Sequence, residues 1–150
     1  MAIRDVRLIE LKPRVDDRGY LIKLLRADDP HFTKFGEVYI VGDFARGTVR
    51  AWHKHRVLWD YFHISNGAAK FALRDDRPDS PTYGNLAEFV LSARNPSLLV
   101  VPPGVYHGWV ALEEGTQLVS IASELYDPDN PDEERIPWNS FDYDWSVRFR

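Results

Sequence analysis

The sequence predicts an all-β domain, a closed double-sheet jelly roll, and three observations predict it. Apolar residues alternate with period two in many short stretches, while the i, i+3, i+4 spacing of an amphipathic helix is almost absent. The same stretches are rich in β-branched and aromatic residues, which suit a pleated, half-buried surface. Turn-forming residues interrupt them at short intervals, as in a sandwich or barrel. In chain order the expected strands are Val6–Leu11, Tyr20–Leu25, Glu37–Val41, Gly47–His53 and Leu58–Ile64, then Ala69–Leu73, Glu88–Leu91, Leu98–Val101, His107–Leu112 and Gln117–Ser123. The turns between them fall at Asp16-Asp17-Arg18-Gly19, Asn66-Gly67, Pro81-Thr82-Tyr83-Gly84, Pro102-Pro103-Gly104 and Glu114-Gly115. Only Asp28–Phe35 has room for a short helix.

The last stretch reads differently. From Tyr126 onward the chain is proline-rich and acidic, yet it carries Trp138, Phe141, Tyr143, Trp145 and Phe149. A disordered tail is poor in aromatics. The reading is an irregular, aromatic-rich C-terminal segment packed onto the barrel or onto a partner subunit.

Composition bounds the function. With 150 residues, of which 44% are hydrophobic, the chain suits a single domain, 1–150, with a real core. A net charge of −4 removes the basic excess that binding to nucleic acid or to a membrane surface requires. An anionic small molecule needs only a few placed cations and stays open. The absence of cysteine excludes disulfides, thiolate metal sites and a cysteine nucleophile. No run approaches the 18 apolar residues of a membrane span, and Met1–Val6 shows no leader-like apolar core, so a soluble, cytoplasmic protein is expected.

The five histidines are 31, 53, 55, 63 and 107. His53 and His55 stand two apart in a strand pattern, so both imidazoles face the same way. Such a pair is ordinarily a polar strand end turned to solvent. Here Gly47, His53, His55, Asp60 and Gly67 follow the spacing of the first cupin motif, with Asp60 where cupins usually place Glu. Pro103-Gly104-Val105-Tyr106-His107 lies within a segment that matches the core of the second motif, without its later Asn, since Ala111 stands there. The chain therefore resembles the cupin superfamily. That resemblance implies a jelly-roll barrel gathering His53, His55, Asp60 and His107 at its mouth. Three imidazoles and a carboxylate make a plausible site for a divalent Fe, Mn, Ni or Zn ion. Against this, Asp60 is one methylene shorter than Glu and reaches about 1.5 Å less far.

Further segments look like the dTDP-4-dehydrorhamnose 3,5-epimerase family of nucleotide-sugar cupins. Asp17-Arg18-Gly19-Tyr20 resembles that family's early Arg-Gly segment, and Val49-Arg50-Ala51-Trp52-His53 resembles its Leu-Arg-Gly-Leu-His. Asp75-Asp76-Arg77 with Ser80-Pro81-Thr82-Tyr83-Gly84 is close to its Asp-x-Arg-x-x-Ser-Pro-Thr-Phe-Gly turn. Pro103-Gly104-Val105-Tyr106-His107-Gly108-Trp109 lies within its Pro-x-Gly-x-x-His-Gly-Phe segment, and Tyr126-Asp127-Pro128 and Ile136-Pro137-Trp138-Asn139 follow in order. The likeness spans roughly residues 15–145 and implies an isomerase, an epimerase or ketoisomerase, acting on a nucleotide-linked 4-keto-6-deoxy sugar. The chemistry would be proton abstraction alpha to the keto group, with no cofactor required. By position His53 takes the base role, and Arg18 and Arg50 bind substrate, joined by Asp60 and His107. His55 and Tyr126 are further catalytic candidates. A homodimer is implied, with Val6–Leu11 as the strand that pairs two barrels.

Three working parts depart from that pattern. The family's enolate-stabilising lysine aligns with Asp60, and its proton-donating tyrosine aligns with Ser120. The aspartate that orients its base lies in a C-terminal extension that this chain is expected to lack. Two repairs follow. A metal held by His53, His55, Asp60 and His107 would polarise the keto group and leave the base role to His63 or Tyr126. Alternatively, His53 or His55 shuttles one proton without metal, as the similar Arg-Gly-x-His-x-His segment of 3,4-ketoisomerase cupins implies for Arg50–His55. The remaining alternatives are a metal cupin of oxygenase or lyase type on another small molecule, and a non-catalytic sugar-binding cupin.

Overall fold

The computed structural model describes residues 2–149. Twelve strands form, β1 (Arg7–Glu10), β2 (Arg14–Asp16), β3 (Gly19–Leu21), β4 (Glu37–Asp43), β5 (Val49–Lys54), β6 (Asp60–Asn66), β7 (Ala68–Asp75), β8 (Leu86–Ser92), β9 (Ser97–Val101), β10 (Val105–Ala111), β11 (Thr116–Ala122) and β12 (Glu134–Arg135). A 3-10 turn follows at Ser140–Asp142. The strands build two five-stranded antiparallel sheets, sheet I in the order β1-β9-β6-β11-β4 and sheet II in the order β12-β5-β10-β7-β8. Strands β2 and β3 stand apart as a hairpin. This is the expected cupin jelly roll. No helix among the described residues is long and apolar enough to cross a membrane.

Period-two patterning explains how the sheets pack. Phe62, Ile64, Leu99, Val101 and Leu118 point inward from sheet I and meet Phe71, Leu73, Val105 and Trp109 from sheet II. The outer face of sheet II is also covered. Trp52, Ala72, Tyr106 and Val110 pack beneath Trp145, with Ile136, Phe141 and Tyr143 around it. The C-terminal aromatics thus lie on the barrel of their own chain. Trp138 anchors them, because its carbonyl accepts the indole N–H of both Trp52, at 3.1 Å, and Trp145, at 2.9 Å.

Two glycines are set by close approach. Gly67 turns β6 into β7 at φ 77°, and a Cβ there would stand 2.6 Å from the Thr116 hydroxyl. A Cβ on Gly108 would lie 2.4 Å from that of Ala51, so only glycine lets β10 run this close to β5.

Some expectations need correction. Asp28–Phe35 forms turns rather than a helix. Pro30 and side-chain competition explain this: Asp29 Oδ2 accepts the Arg26 amide at 2.7 Å, and the Tyr61 hydroxyl accepts the Thr33 amide while donating to the His31 carbonyl. Of Tyr20–Leu25 only the first two residues are strand, because β3 pairs solely with β2. Val6–Leu11 does supply a strand, β1, which pairs on one side with β9, Arg7 opposite Val100 and Glu10 opposite Ser97, and forms one edge of sheet I.

Candidate active site

Strands β5 and β10 run side by side with His107 opposite His53, and the register shifts between His107 and Trp109. The two rings lie 6.1 Å apart, centre to centre. His55 follows β5 on the same face, 5.4 Å from the His107 ring. Lys54, between the two histidines, points the other way, to Asp76 at 2.6 Å and Glu134 at 3.1 Å. From sheet I, β6 supplies Asp60 and β11 supplies Ser120, both buried. These groups line a cavity of about 410 Å³ between the sheets, with Tyr39, Arg50, Glu133 and Arg135 also on its walls.

At its floor lies a polar cluster. Asp60 Oδ2 is 3.2 Å from His55 Nε2 and 3.3 Å from His107 Nε2, and has no aligned hydrogen bond. His55 Nδ1 contacts the Asp132 carbonyl at 2.5 Å, and His107 Nδ1 contacts the Val105 carbonyl at 3.1 Å. A carbonyl only accepts, so each Nδ1 carries the proton, and a neutral ring then presents its Nε2 lone pair to the carboxylate. Two lone pairs facing an anion repel it, so a positive charge belongs there. His55 provides it: burial opposes protonation, but the Asp60 carboxylate outweighs burial and lifts its pKa to about 9. His107 goes the other way, its complete burial pushing it down to about 4.

His53 stands outside this cluster. Its Nδ1 lies 3.1 Å from Oε1 of Glu133, off the line of the ring N–H. Burial lowers its pKa, and Glu133 opposes that. Of the four expected metal ligands, His55, Asp60 and His107 have ligand atoms that all lie within 4.8 Å of one another, and His53 stands beside this group.

Other expected residues distribute unevenly. Arg50 reaches the cavity wall, where its Nε donates to buried Asp43 at 2.6 Å. Arg18 lies outside the cavity, on the exposed β2–β3 turn, paired with Asp16 at 2.5 Å. Tyr126 lines an adjoining hollow of about 370 Å³, which shares Tyr39, His55, Glu133 and Arg135 with the histidine cavity. His63 faces away from both, its Nδ1 at 2.9 Å from the Ser97 carbonyl, because three residues along a strand reverse the face.

Sequence reasoning missed Tyr39, Asp132, Glu133 and Arg135. Asp132 accepts the amides of Arg56, Val57 and Leu58 at 2.7, 2.9 and 3.0 Å and so fixes the loop that delivers Asp60. The acidic run Asp132-Glu133-Glu134 was the available signal, but a charge run ordinarily marks a solvated face.

Residues 1–149 of the 150 match the family model described as dTDP-4-dehydrorhamnose 3,5-epimerase. The protein belongs to this family. It is thereby an epimerase-type enzyme of nucleotide-sugar metabolism, on a cupin barrel. It is 35% identical to the probable low-salt glycan biosynthesis epimerase Agl13 of Haloferax volcanii, covering 91% of this chain and 89% of that protein. It is 33% identical to the spore coat polysaccharide biosynthesis protein SpsL of Bacillus subtilis, covering 99% of each. Among solved structures, a dTDP sugar isomerase from Desulfovibrio desulfuricans superimposes with a TM-score of 0.87 at 28% identity, covering 96% of this chain and 92% of that one.

Proposed function

We propose that the protein acts on a nucleotide-linked 4-keto-6-deoxy sugar, taking a proton from a carbon alpha to the keto group and returning it, with His53 as the base. The observation that carries this reading is the unlike setting of the two imidazoles: His55 Nε2 lies 3.2 Å from the Asp60 carboxylate, whereas His53 Nδ1 makes no aligned hydrogen bond. His53, with its pKa lowered mainly by burial, is neutral and free to accept a proton, while His55 beside it holds a positive charge. As the proton passes to His53, the C–H pair of electrons becomes the carbon–carbon double bond of the enolate and the carbonyl π pair moves onto the keto oxygen. The His55 imidazolium on the cavity wall supplies a cation for the resulting enolate, in the role the resemblance gives to lysine. Arg50 and His107 complete the substrate contacts, and Asp60 acts through His55. The steps are proton transfers, balanced without an oxidant or reductant.

Arg18 enters only from a second copy. Val15, Tyr20 and Leu21 on the same hairpin are 76%, 75% and 54% exposed, an apolar surface that a homodimer would cover. We place the enzyme in the cytoplasm, in keeping with a cysteine-free chain.

The orphaned Asp60 Oδ2 supports a second reading. Two ligands each about 2.1 Å from an ion and at right angles lie about 3 Å apart, close to the spacing between this oxygen and each Nε2. His55, Asp60 and His107 thus fit a divalent ion, each ring held by its Nδ1 contact to a carbonyl. Such an ion would polarise the keto oxygen as a Lewis acid.

The test is incubation of the full chain with a dTDP-linked 4-keto-6-deoxyhexose in D2O, followed by NMR and mass spectrometry, with and without EDTA. Deuterium at a carbon alpha to the keto group, indifferent to EDTA, is the expected result. Loss of exchange on chelation, restored by Fe(II), Mn(II), Ni(II) or Zn(II), would transfer the role of the His55 cation to a metal. Saturable binding with no exchange would return the chain to a sugar-binding cupin and overturn the proposal.

A further inference from the structure

Inverting a carbon centre requires two protic groups on opposite sides of the substrate: one removes the proton and the other supplies one to the far face. The cavity offers two such walls, because its sides come from different sheets. His53 and His107 stand on the sheet II wall. The protic groups on the sheet I wall are Tyr39, Asp60 and Ser120.

These three are not equivalent. Asp60 is 2% exposed and held against two imidazoles, and Ser120 is fully buried. An aliphatic hydroxyl is also too weak an acid for the task. Tyr39 is 46% exposed, so a substrate in the cavity meets its phenol. It sits on β4 directly opposite Ser120 of β11, which directs its side chain to the same, inward face as Ser120. Among the described residues it is the one tyrosine lining the histidine cavity.

We propose that Tyr39 is the catalytic acid that returns a proton to the substrate face opposite His53, which makes the reaction an epimerisation rather than a keto shift. The inference rests on the proton-abstraction reading above and specifies its stereochemistry. Burial raises the phenol's pKa; Ser120 opposes this, but the nearby carboxylates of Asp60, Glu133 and Glu37 reinforce burial, so the donor stays protonated at neutral pH.

Tyr39→Phe decides it, with the full chain and a dTDP-linked 4-keto-6-deoxyhexose in D2O. Wild type should yield inverted product carrying deuterium at the inverted carbon. In the variant, deuterium should still enter the sugar from the His53 side, within a few-fold of the wild-type rate, while inverted product falls by a factor of about 100 or more. Tyr39→His, which restores a proton donor, should recover part of the inversion. Inversion by Tyr39→Phe at the wild-type rate would overturn the assignment, and so would exchange and inversion falling together. Wild type that shows neither exchange nor inversion would instead remove the proton-abstraction reading itself.

Discussion

His53 Nδ1 and Glu133 Oε1 lie 3.1 Å apart, a contact between a central barrel strand and the C-terminal segment. The segment reaches that position by strand pairing. Strand β12 pairs with the edge of β5, with Arg135 opposite His53 and Glu134 opposite Lys54, and Trp52 and Ile136 exchange backbone hydrogen bonds at 3.2 Å. Glu133 precedes this short ladder and turns its carboxylate onto the imidazole. Glu133 is held in turn by Arg135 at 3.1 Å, and in the proposed reaction it is the carboxylate placed to orient His53.

Replacing Glu133 by Gln should therefore lower kcat by roughly 10- to 100-fold with little change in KM, because an unoriented imidazole spends less time aligned with the C–H bond. The sign of the pH effect also follows. Glu133 raises the His53 pKa, so its loss leaves burial less opposed and the acid limb of kcat/KM moves to lower pH. A pH profile of deuterium exchange measures both. An unchanged rate and limb would show that the contact does not position the base.

How much of this was legible from residues alone depends on whether the signal was local. The strands were, because period-two alternation is written in each stretch, as Ala69–Leu73 and Leu98–Val101 show by lying within β7 and β9. His53, His55, Asp60 and His107, which line one cavity, were also legible, through the resemblance of their segments to the two cupin motifs. Glu133 was not. Its role depends on β12 docking beside β5, a pairing of 2 residues with no periodicity to read. Tyr39 was hidden differently: it lies inside the expected strand Glu37–Val41 with no motif around it, and only the β4–β11 register places it opposite Ser120. Asp28–Phe35, the one stretch with room for a helix, forms none because Pro30 interrupts it and the Tyr61 hydroxyl takes the Thr33 amide and the His31 carbonyl.

Asp75 organises the turn after β7, and its removal should be costly. The carboxylate is fully buried and accepts hydrogen bonds from Arg77, Ser80 and Thr82 at 2.8, 2.6 and 2.6 Å. Burial alone would push its pKa up, but these donors together outweigh burial and hold it well below the usual carboxylate range. Asp75→Asn keeps the shape and loses the charge that pairs with Arg77, so stability should fall by about 3 kcal/mol in urea unfolding. A carboxylate depressed in the folded state stabilises it above the unfolded pKa, near 4, and that stabilisation fades as the pH falls below it. The wild-type advantage over Asp75→Asn should accordingly be full at pH 7 and shrink toward pH 2. An advantage independent of pH would mean that packing, not charge, holds the turn.

Trp145 tests whether the C-terminal segment serves the fold and the site together. Its ring is 6% exposed and lies 5.1 Å from that of Trp52 and 4.5 Å from that of Tyr143. Its indole N–H shares the Trp138 carbonyl with Trp52, and Trp138 lines the histidine cavity. Truncation to Ala empties a buried aromatic position, a change that typically costs about 3 kcal/mol or more. If the segment acted only as a cover, the folded fraction of Trp145→Ala would retain the wild-type exchange rate. The anchoring through Trp138 predicts otherwise: loosening the stretch that carries Glu133 and Arg135 should slow deuterium exchange several-fold even under conditions where circular dichroism shows the variant fully folded. Phe in place of Trp145 keeps the ring contacts and drops the indole hydrogen bond, and should recover most of the stability with part of the rate. Equal rates in all three folded proteins would separate the aromatic cover from the chemistry.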